Sequence, residues 1–333
     1  MPLSEIVKNF SKCRLLIIGD LIADEFVYGE ITRISREAPV MILRHERTET
    51  MPGGAGNAAS NVASLAGQAT VLGVVGKDLS GEQLLLKLNS NNVNTEAVLT
   101  LSDYQTPTKS RILAGSFHST RQQVIRLDRE PSLPLNKKTT NKLTKKLENY
   151  LGKIDAVIVS DYNYGVVTKS LLTVLKNTFV KHPKIPIIID SRFHLKNCLN
   201  FTAATPNQAE LEALVDKNLS TETELIEAGE DLRSKLALEV LLLTRGSDGM
   251  ILFQKKHPAI LIPVVGSKEP VDVTGAGDTV IATFTLALAS GASFLQAAKI
   301  ANHAGAIVVM KRGTATLTIS ELLTSMETNP LHN

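Results

Sequence analysis

Short apolar runs recur along this chain, and helical patterns lie between them. Leu15-Leu-Ile-Ile-Gly-Asp20, Ala69-Thr-Val-Leu-Gly-Val-Val75, Ala156-Val-Ile-Val-Ser-Asp161, Ile185-Pro-Ile-Ile-Ile-Asp190 and Val240-Leu-Leu-Leu-Thr244 are apolar throughout and too short for core helices. Such runs fit strands buried on both faces. Asn57–Leu65, Gly81–Asn89, Asn141–Leu151 and Thr168–Phe179 carry helical periodicity. Strand alternating with helix predicts an α/β fold, a mostly parallel sheet with helices on both faces. Sheets of this kind bind ligands off the carboxyl ends of their strands. Asp20, Asp161 and Asp190 fall at that edge, with Asp20 assigned to the substrate side and Asp190 to the cofactor side.

Two segments break the alternation. Residues 25–50 hold Phe-Val-Tyr-Gly-Glu-Ile-Thr and Val40-Met-Ile-Leu-Arg-His-Glu. Residues 108–128 hold Lys-Ser-Arg-Ile-Leu-Ala-Gly and Gln-Gln-Val-Ile-Arg-Leu-Asp around a Gly-Ser turn. These read as exposed strands that pair into a small β-sheet, a lid able to cover a site and exclude water. A chain of 333 residues suffices for one such domain, 1–333, with its accessory lid. Its 36 basic and 33 acidic residues leave a net charge of +3, no push toward nucleic acid or membrane. The amphipathic, acid-containing N-terminus is unlike a signal peptide. The apolar runs near Val280–Ala289 and Ala304–Met310 are too short to span a bilayer. Cys13 and Cys198 are expected as free core thiols of a cytoplasmic protein, and the seven His show no ligand spacing.

The chemistry concentrates in Asp272-Val-Thr-Gly275-Ala276-Gly277-Asp278-Thr279, followed by a buried helix over 279–290. Glycines let backbone amides crowd round an anion, and a helix start adds free N–H groups and the positive end of its dipole. An acid there cannot bind phosphate. It is placed to take a proton from a hydroxyl attacking one, which makes Asp278 the candidate base. Taken alone, the motif is equally a tight turn with an N-cap Asp.

Within Pro52-Gly53-Gly54-Ala-Gly-Asn57-Ala-Ala59, the stretch Gly54-Ala-Gly56-Asn-Ala-Ala59 fits a dinucleotide fingerprint but lacks the buried strand that must precede it. Its other readings are a plain helix start, or a glycine turn with Asn57 offering its amide to a sugar hydroxyl. Asn207 and Glu210 share a helix face, either as a capping box or as a carboxylate near Mg²⁺, through water. Thr244-Arg-Gly246-Ser-Asp-Gly249 is a strand, a turn and a strand, either a hairpin or a wall against a nucleotide. Asn302 and Lys311-Arg-Gly313 follow buried helices and are placed to flank an adenine. Neither a Walker loop nor a protein-kinase signature is present.

Together these motifs resemble the ribokinase-like PfkB family of carbohydrate kinases, and within it the branch of D-glycero-β-D-manno-heptose 7-phosphate kinases. The matching pieces include Arg33-Ile-Ser-x-Glu-Ala-Pro-Val40, Pro52-Gly-Gly-Ala-x-Asn57, Gln122-Gln-x-Ile-Arg-Leu-Asp128, Ser160-Asp-Tyr162, Thr205-Pro-Asn207, Asp272–Ile281 and Ala301-Asn302, between about Leu15 and Leu322. The resemblance implies ATP- and Mg²⁺-dependent transfer of the γ-phosphoryl group to a sugar hydroxyl, O1 in the heptose branch, within ADP-heptose biosynthesis. Asp278 is then the base and the Gly275-Ala276-Gly277 amides the anion hole. Asp272 is implied in binding a monovalent cation, K⁺. Asp24, Gly53, Gly54 and Asn57 hold sugar hydroxyls, and a homodimer through the lids is implied. A substrate that already carries a phosphate needs cations, and Arg33, Lys109, Arg111, Arg121 and Arg126 lie in the lid segments. The alternatives are a kinase for another sugar or sugar phosphate, or a non-catalytic binding protein on the same scaffold.

The chain departs from that branch at Ile22-Ala-Asp24-Glu25-Phe26 (Met-Leu-Asp-Arg-Tyr there), at Arg36 (Pro), at Tyr164 (Lys) and at Ser191-Arg192 (Pro-Lys). Arg192 replaces a lysine in charge but not in geometry.

Overall fold

The structure is a computed structural model and describes residues 1–115 and 121–329. In chain order the strands are β1 (Arg14–Gly19), β2 (Leu21–Ile34), β3 (Met41–Gly54), β4 (Gln68–Leu72), β5 (Val74–Gly76), β6 (Leu99–Leu101), β7 (Thr108–Gly115), β8 (Gln122–Arg129), β9 (Ala156–Asp161), β10 (Ile187–Ser191), β11 (Ala203–Ala204), β12 (Val240–Thr244), β13 (Met250–Gln254) and β14 (Ile260–Ile262). Eight form the main sheet in the order β14-β13-β12-β11-β10-β9-β1-β4. It is parallel from β4 to β12 and antiparallel at the β12-β13-β14 edge.

The register explains why these strands are apolar throughout. Leu15 and Ile17 of β1 enter one core layer, while Leu16 and Ile18 enter the other. Ala156 and Ile158 of β9 divide from Val157 and Val159 in the same way. Side chains alternate across a strand, so burial on both faces demands an apolar residue at every position. Helices Ala55–Ser64, Ala276–Ala289 and Phe294–Val308 cover the first face; Lys137–Tyr150, Lys169–Lys181 and Glu222–Lys235 cover the second.

The run Ala69–Val75 is not one strand. It breaks at Gly73, and β5 leaves the main sheet to pair with β6. The helix expected over 279–290 begins earlier, at Ala276. Gly275 is its N-cap at φ +77°, so Asp278 sits inside the first turn rather than ahead of the helix.

The two irregular segments do pair outside the main sheet, in the order β3-β2-β7-β8. β2 runs parallel to β7 and antiparallel to β3. Cross-strand partners Asp24↔Lys109, Phe26↔Arg111, Arg111↔Arg126 and Lys109↔Asp128 share one face of this sheet. The expected Gly-Ser turn, within residues 116–120, lies outside the described residues. Cys13 and Cys198 are free and buried. Among the described residues no helix is long and apolar enough to cross a membrane, and no cluster of His, Cys, Asp and Glu is arranged to hold a metal.

Candidate active site

The site lies at the mouth of helix Ala276–Ala289. Gly275 is required there twice over: by its positive φ, and because a Cβ would meet Asn57 Nδ2 at 2.4 Å. The amide of Ala276 turns back to the Val273 carbonyl at 3.2 Å, so Ala276 does not contribute to an anion hole as expected. The amides of Gly275, Gly277 and Asp278 have no acceptor among the described residues. Three free donors and the helix dipole therefore converge on one spot.

Asp278 is 4 % exposed. Its Oδ2 accepts from Asn57 Nδ2 at 2.8 Å and its Oδ1 from the Tyr162 hydroxyl at 3.2 Å. Burial pushes this carboxyl up to about 6, against the downward pull of the Asn57 and Tyr162 hydrogen bonds. A buried carboxyl raised in this way, next to free amides, is arranged so that it could take a proton.

A cavity of about 450 Å³ opens beside it. Asp190, Asn207, Glu210, Thr244, Gly246, Gly249 and Asn302 all line it, together with residues 275–278. The sequence places every one of these on the nucleotide side, and the fold brings them together. Three of them have a local structural duty as well. Asn207 and Glu210 form a full capping box, and Asn302 Nδ2 donates to the Pro263 carbonyl at 2.7 Å. Burial, with Glu210 and Asp278 as negative neighbours, pushes the Asp190 carboxyl well above its ordinary value. The Thr205 hydroxyl is buried in the same wall without a partner. An orphaned hydroxyl, free amides and open space beside Gly277 fit a phosphate-bearing ligand.

The acceptor side differs from expectation at several residues. Asp20 is fully buried and accepts the backbone amides of Tyr162, Tyr164 and Val166 at 2.8–3.2 Å; it anchors the loop after β9 and cannot reach a substrate. Arg33 sits on the exposed far end of β2 and lines none of the cavities found beside the small sheet. Asp24 is buried and paired with Arg111 at 2.5 Å. Asn57 gives its amide to Asp278 and the Gly275 carbonyl, and its oxygen accepts from Asn61, so it holds the Asp278 carboxylate rather than standing free. Gly53 and Gly54 close β3: a Cβ on Gly53 would meet Asp24 Oδ2 at 2.4 Å, and Gly54, at φ +56°, packs under the Tyr162 ring. They make room for other side chains.

Of the five cations, Arg111, Arg121 and Arg126 pair with Asp24, Glu46 and Asp128. Lys109 forms no ion pair among the described residues. Burial lowers its pKa, and its Nζ lies 5.2 Å from the Tyr162 ring centroid. Lys109, Arg126, Tyr162 and Arg192 line a second cavity of about 560 Å³, joined to Asp278 through the Tyr162 hydroxyl. Arg111, Arg121 and Asp272 line a third, of about 1050 Å³, under the small sheet. Asp272 accepts amides of Thr274 and Gly313. Burial raises its carboxyl, yet those amides outweigh it and keep it below the ordinary value.

Sequence reasoning gave no role to Tyr162 and only a substitution to Arg192. The Arg192 guanidinium lies 4.9 Å from the Tyr162 ring and its Nε lies 3.6 Å from Glu210, so it lines both the first and second cavities. The signal was the departure from the heptose branch at residues 191–192.

Comparison with known proteins agrees with this architecture. The profile of the pfkB family carbohydrate kinases matches residues 15–321. The Bifunctional protein HldE of Desulfatibacillum aliphaticivorans is 34% identical over 325 residues, 98% of this chain and 65% of that protein. That of Geobacter metallireducens is 37% identical over 312 residues, 93% of this chain and 62% of that protein. The chain thus spans less than two thirds of the length of these curated relatives. Among solved structures, phosphofructokinase-2 from Escherichia coli in complex with potassium superposes with a TM-score of 0.77 at 22% identity, covering 95% of this chain and 99% of that one. Ribokinase from Arabidopsis thaliana complexed with ribose and ATP gives 0.72 at 17%, with 95% and 99% covered. At such identities the likeness is one of fold, that of the ribokinase-type kinases.

Proposed function

The chain belongs to the pfkB family of carbohydrate kinases, phosphotransferases that act on a sugar hydroxyl, and from that premise we propose that it transfers the γ-phosphoryl group of ATP to O1 of D-glycero-β-D-manno-heptose 7-phosphate. The observation that carries the reading is the buried, doubly hydrogen-bonded Asp278 beside three unpaired amides. The attacking hydroxyl oxygen bonds to phosphorus as the bond to the departing ADP oxygen breaks. Asp278 takes the hydroxyl proton, and the amides of Gly275, Gly277 and Asp278 stabilise the charge on the transferring group. Bound ATP supplies that group, and Mg²⁺ offsets its charge. The first cavity would house the nucleotide, and Glu210 would hold Mg²⁺ there through water. Asp272, kept ionised by its amides, is assigned the monovalent cation, K⁺.

The heptose assignment rests on the sequence resemblance, the HldE relatives and the second cavity, where Lys109 and Arg192 offer cationic groups to a phosphate already on the acceptor. Residues 1–333 form one kinase domain of a cytoplasmic protein, and the small sheet is its lid. Val124, Ile125, Leu127, Ile34 and Met41 leave apolar surface exposed on that sheet, which supports pairing of two lids in a homodimer; sedimentation showing a monomer at micromolar concentration would remove that part. ATP turnover across sugars and sugar phosphates tests the rest. The heptose 7-phosphate is expected to exceed its unphosphorylated counterpart in kcat/KM by about 100-fold. Equal rates would reject a phosphorylated acceptor.

A further inference from the structure

Tyr162 is the one side chain on the base whose presence the proposed function does not explain. It follows β9, and its amide donates to Asp20 Oδ2 at 2.8 Å. Its ring lies over Gly54, where a Cβ would come within 3.3 Å of Cδ2. Lys109 and Arg192 stand 5.2 and 4.9 Å from the ring centroid. With backbone and ring held in this way, the hydroxyl reaches Asp278 Oδ1 at 3.2 Å, while Asn57 holds Oδ2 at 2.8 Å. An ionised carboxylate offers about four lone-pair directions. The protein uses one on each oxygen and leaves one on each for an acceptor hydroxyl.

We propose that Tyr162 is a positioning residue of the phosphoryl transfer, its hydroxyl holding Asp278 Oδ1 in place and keeping the base ionised. The inference rests on the reading of Asp278 as the base. Burial, and the negative charges of Asp278 and Asp190, raise the phenol well above its ordinary value, so Tyr162 stays protonated and acts only as a donor. The charged groups facing the Asp278 carboxylate are Asp24 from β2, Asp190 at the end of β10 and Arg192 after it, and Lys109 faces the phenol ring from β7. The acceptor proton passes to Asp278, and Tyr162 keeps its own.

Tyr162→Phe removes the hydroxyl and retains the ring packing. The acid limb of kcat/KM is expected to move up by about one pH unit, since a donor to a charged group is lost. At about pH 8, kcat is expected to fall about tenfold with the ATP KM within about twofold. A carboxyl titration of Asp278 followed by NMR should show the same upward shift without any turnover. An unmoved limb and an unmoved titration would overturn the role and leave Tyr162 as packing. Asp278→Asn in the same assay separates the two readings. Near-normal turnover there removes the base and Tyr162 with it, whereas an inactive Asp278→Asn beside an unmoved Tyr162→Phe limb removes Tyr162 alone.

Discussion

The two sides of this cleft, the one proposed for the nucleotide and the one proposed for the acceptor, are built by different means. On the side proposed for the nucleotide, seven residues named from the sequence line one cavity, from strand ends, a turn, a helix start and the middle of helix Phe294–Val308. The Asn207–Glu210 box closes over three residues, and the Gly246–Gly249 turn over a single loop. On the acceptor side the same kinds of residue are committed to one another across long stretches of chain. Asp24 and Arg111 are 87 residues apart, and Asn57 and Asp278 are 221 apart. Local geometry is written in a short segment, whereas pairing across such distances depends on how strands and helices are brought together. A cation beside a carboxylate is a binding group in sequence and a satisfied ion pair in the fold.

Substitutions at the base probe that contrast hardest. Asp278→Asn should lower kcat by about 100- to 10,000-fold with little change in ATP affinity, and retention of a tenth of the rate would reject the base. The same change should stabilise the fold at neutral pH. Burial raises the folded-state carboxyl from 3.8 to about 6, so the folded protein favours the protonated form. That favour is complete below pH 3.8 and lost as pH rises through about 6. The gain from Asn is therefore on the order of 3 kcal/mol near pH 8 and absent near pH 3, readable as paired melting curves. Wild-type kcat/KM should fall on the acid side with a midpoint near 6; a midpoint near 4 would detach the limb from Asp278.

Asn57→Ala comes next. Because its amide is bound to Asp278, the loss is expected in kcat, about 10- to 100-fold, with the acid limb moved up. A loss confined to the acceptor KM would return Asn57 to the sugar and weaken the contrast between the two sides. Smaller still is the difference between Lys109→Ala and Arg126→Ala. Lys109 has no ion pair among the described residues and its loss should raise the KM for a phosphorylated acceptor about tenfold, while loss of Arg126, held by both oxygens of Asp128, should raise it about threefold or less. Reversed magnitudes would put the acceptor phosphate on Arg126. Arg33→Ala should be smallest, within about twofold on every constant, and a larger loss would bring the tip of β2 into the site.

Most of the framework is legible in the sequence. Uniform apolar runs identify β1, β9, β10 and β12 because both faces of each are buried, and the two unlike segments do form the small separate sheet. The break at Gly73 escapes notice because β4 and β5 are both apolar, and only the partner strand distinguishes them. Asp278 is legible from its glycines. Tyr162 is not: an aromatic after an apolar strand signals packing, and its contact with a carboxylate 116 residues away leaves no local trace.

Left to itself, the sequence determined the layered sheet, the glycine turn at the helix mouth and the capped nucleotide wall, since each follows from dihedral preference, side-chain alternation or a hydrogen bond within a few residues. The tertiary structure alone decided which charges are free and which are spent. That depends on burial and on partners as far as 221 residues away in the chain, and a buried carboxylate or guanidinium takes its role from whatever the fold sets beside it.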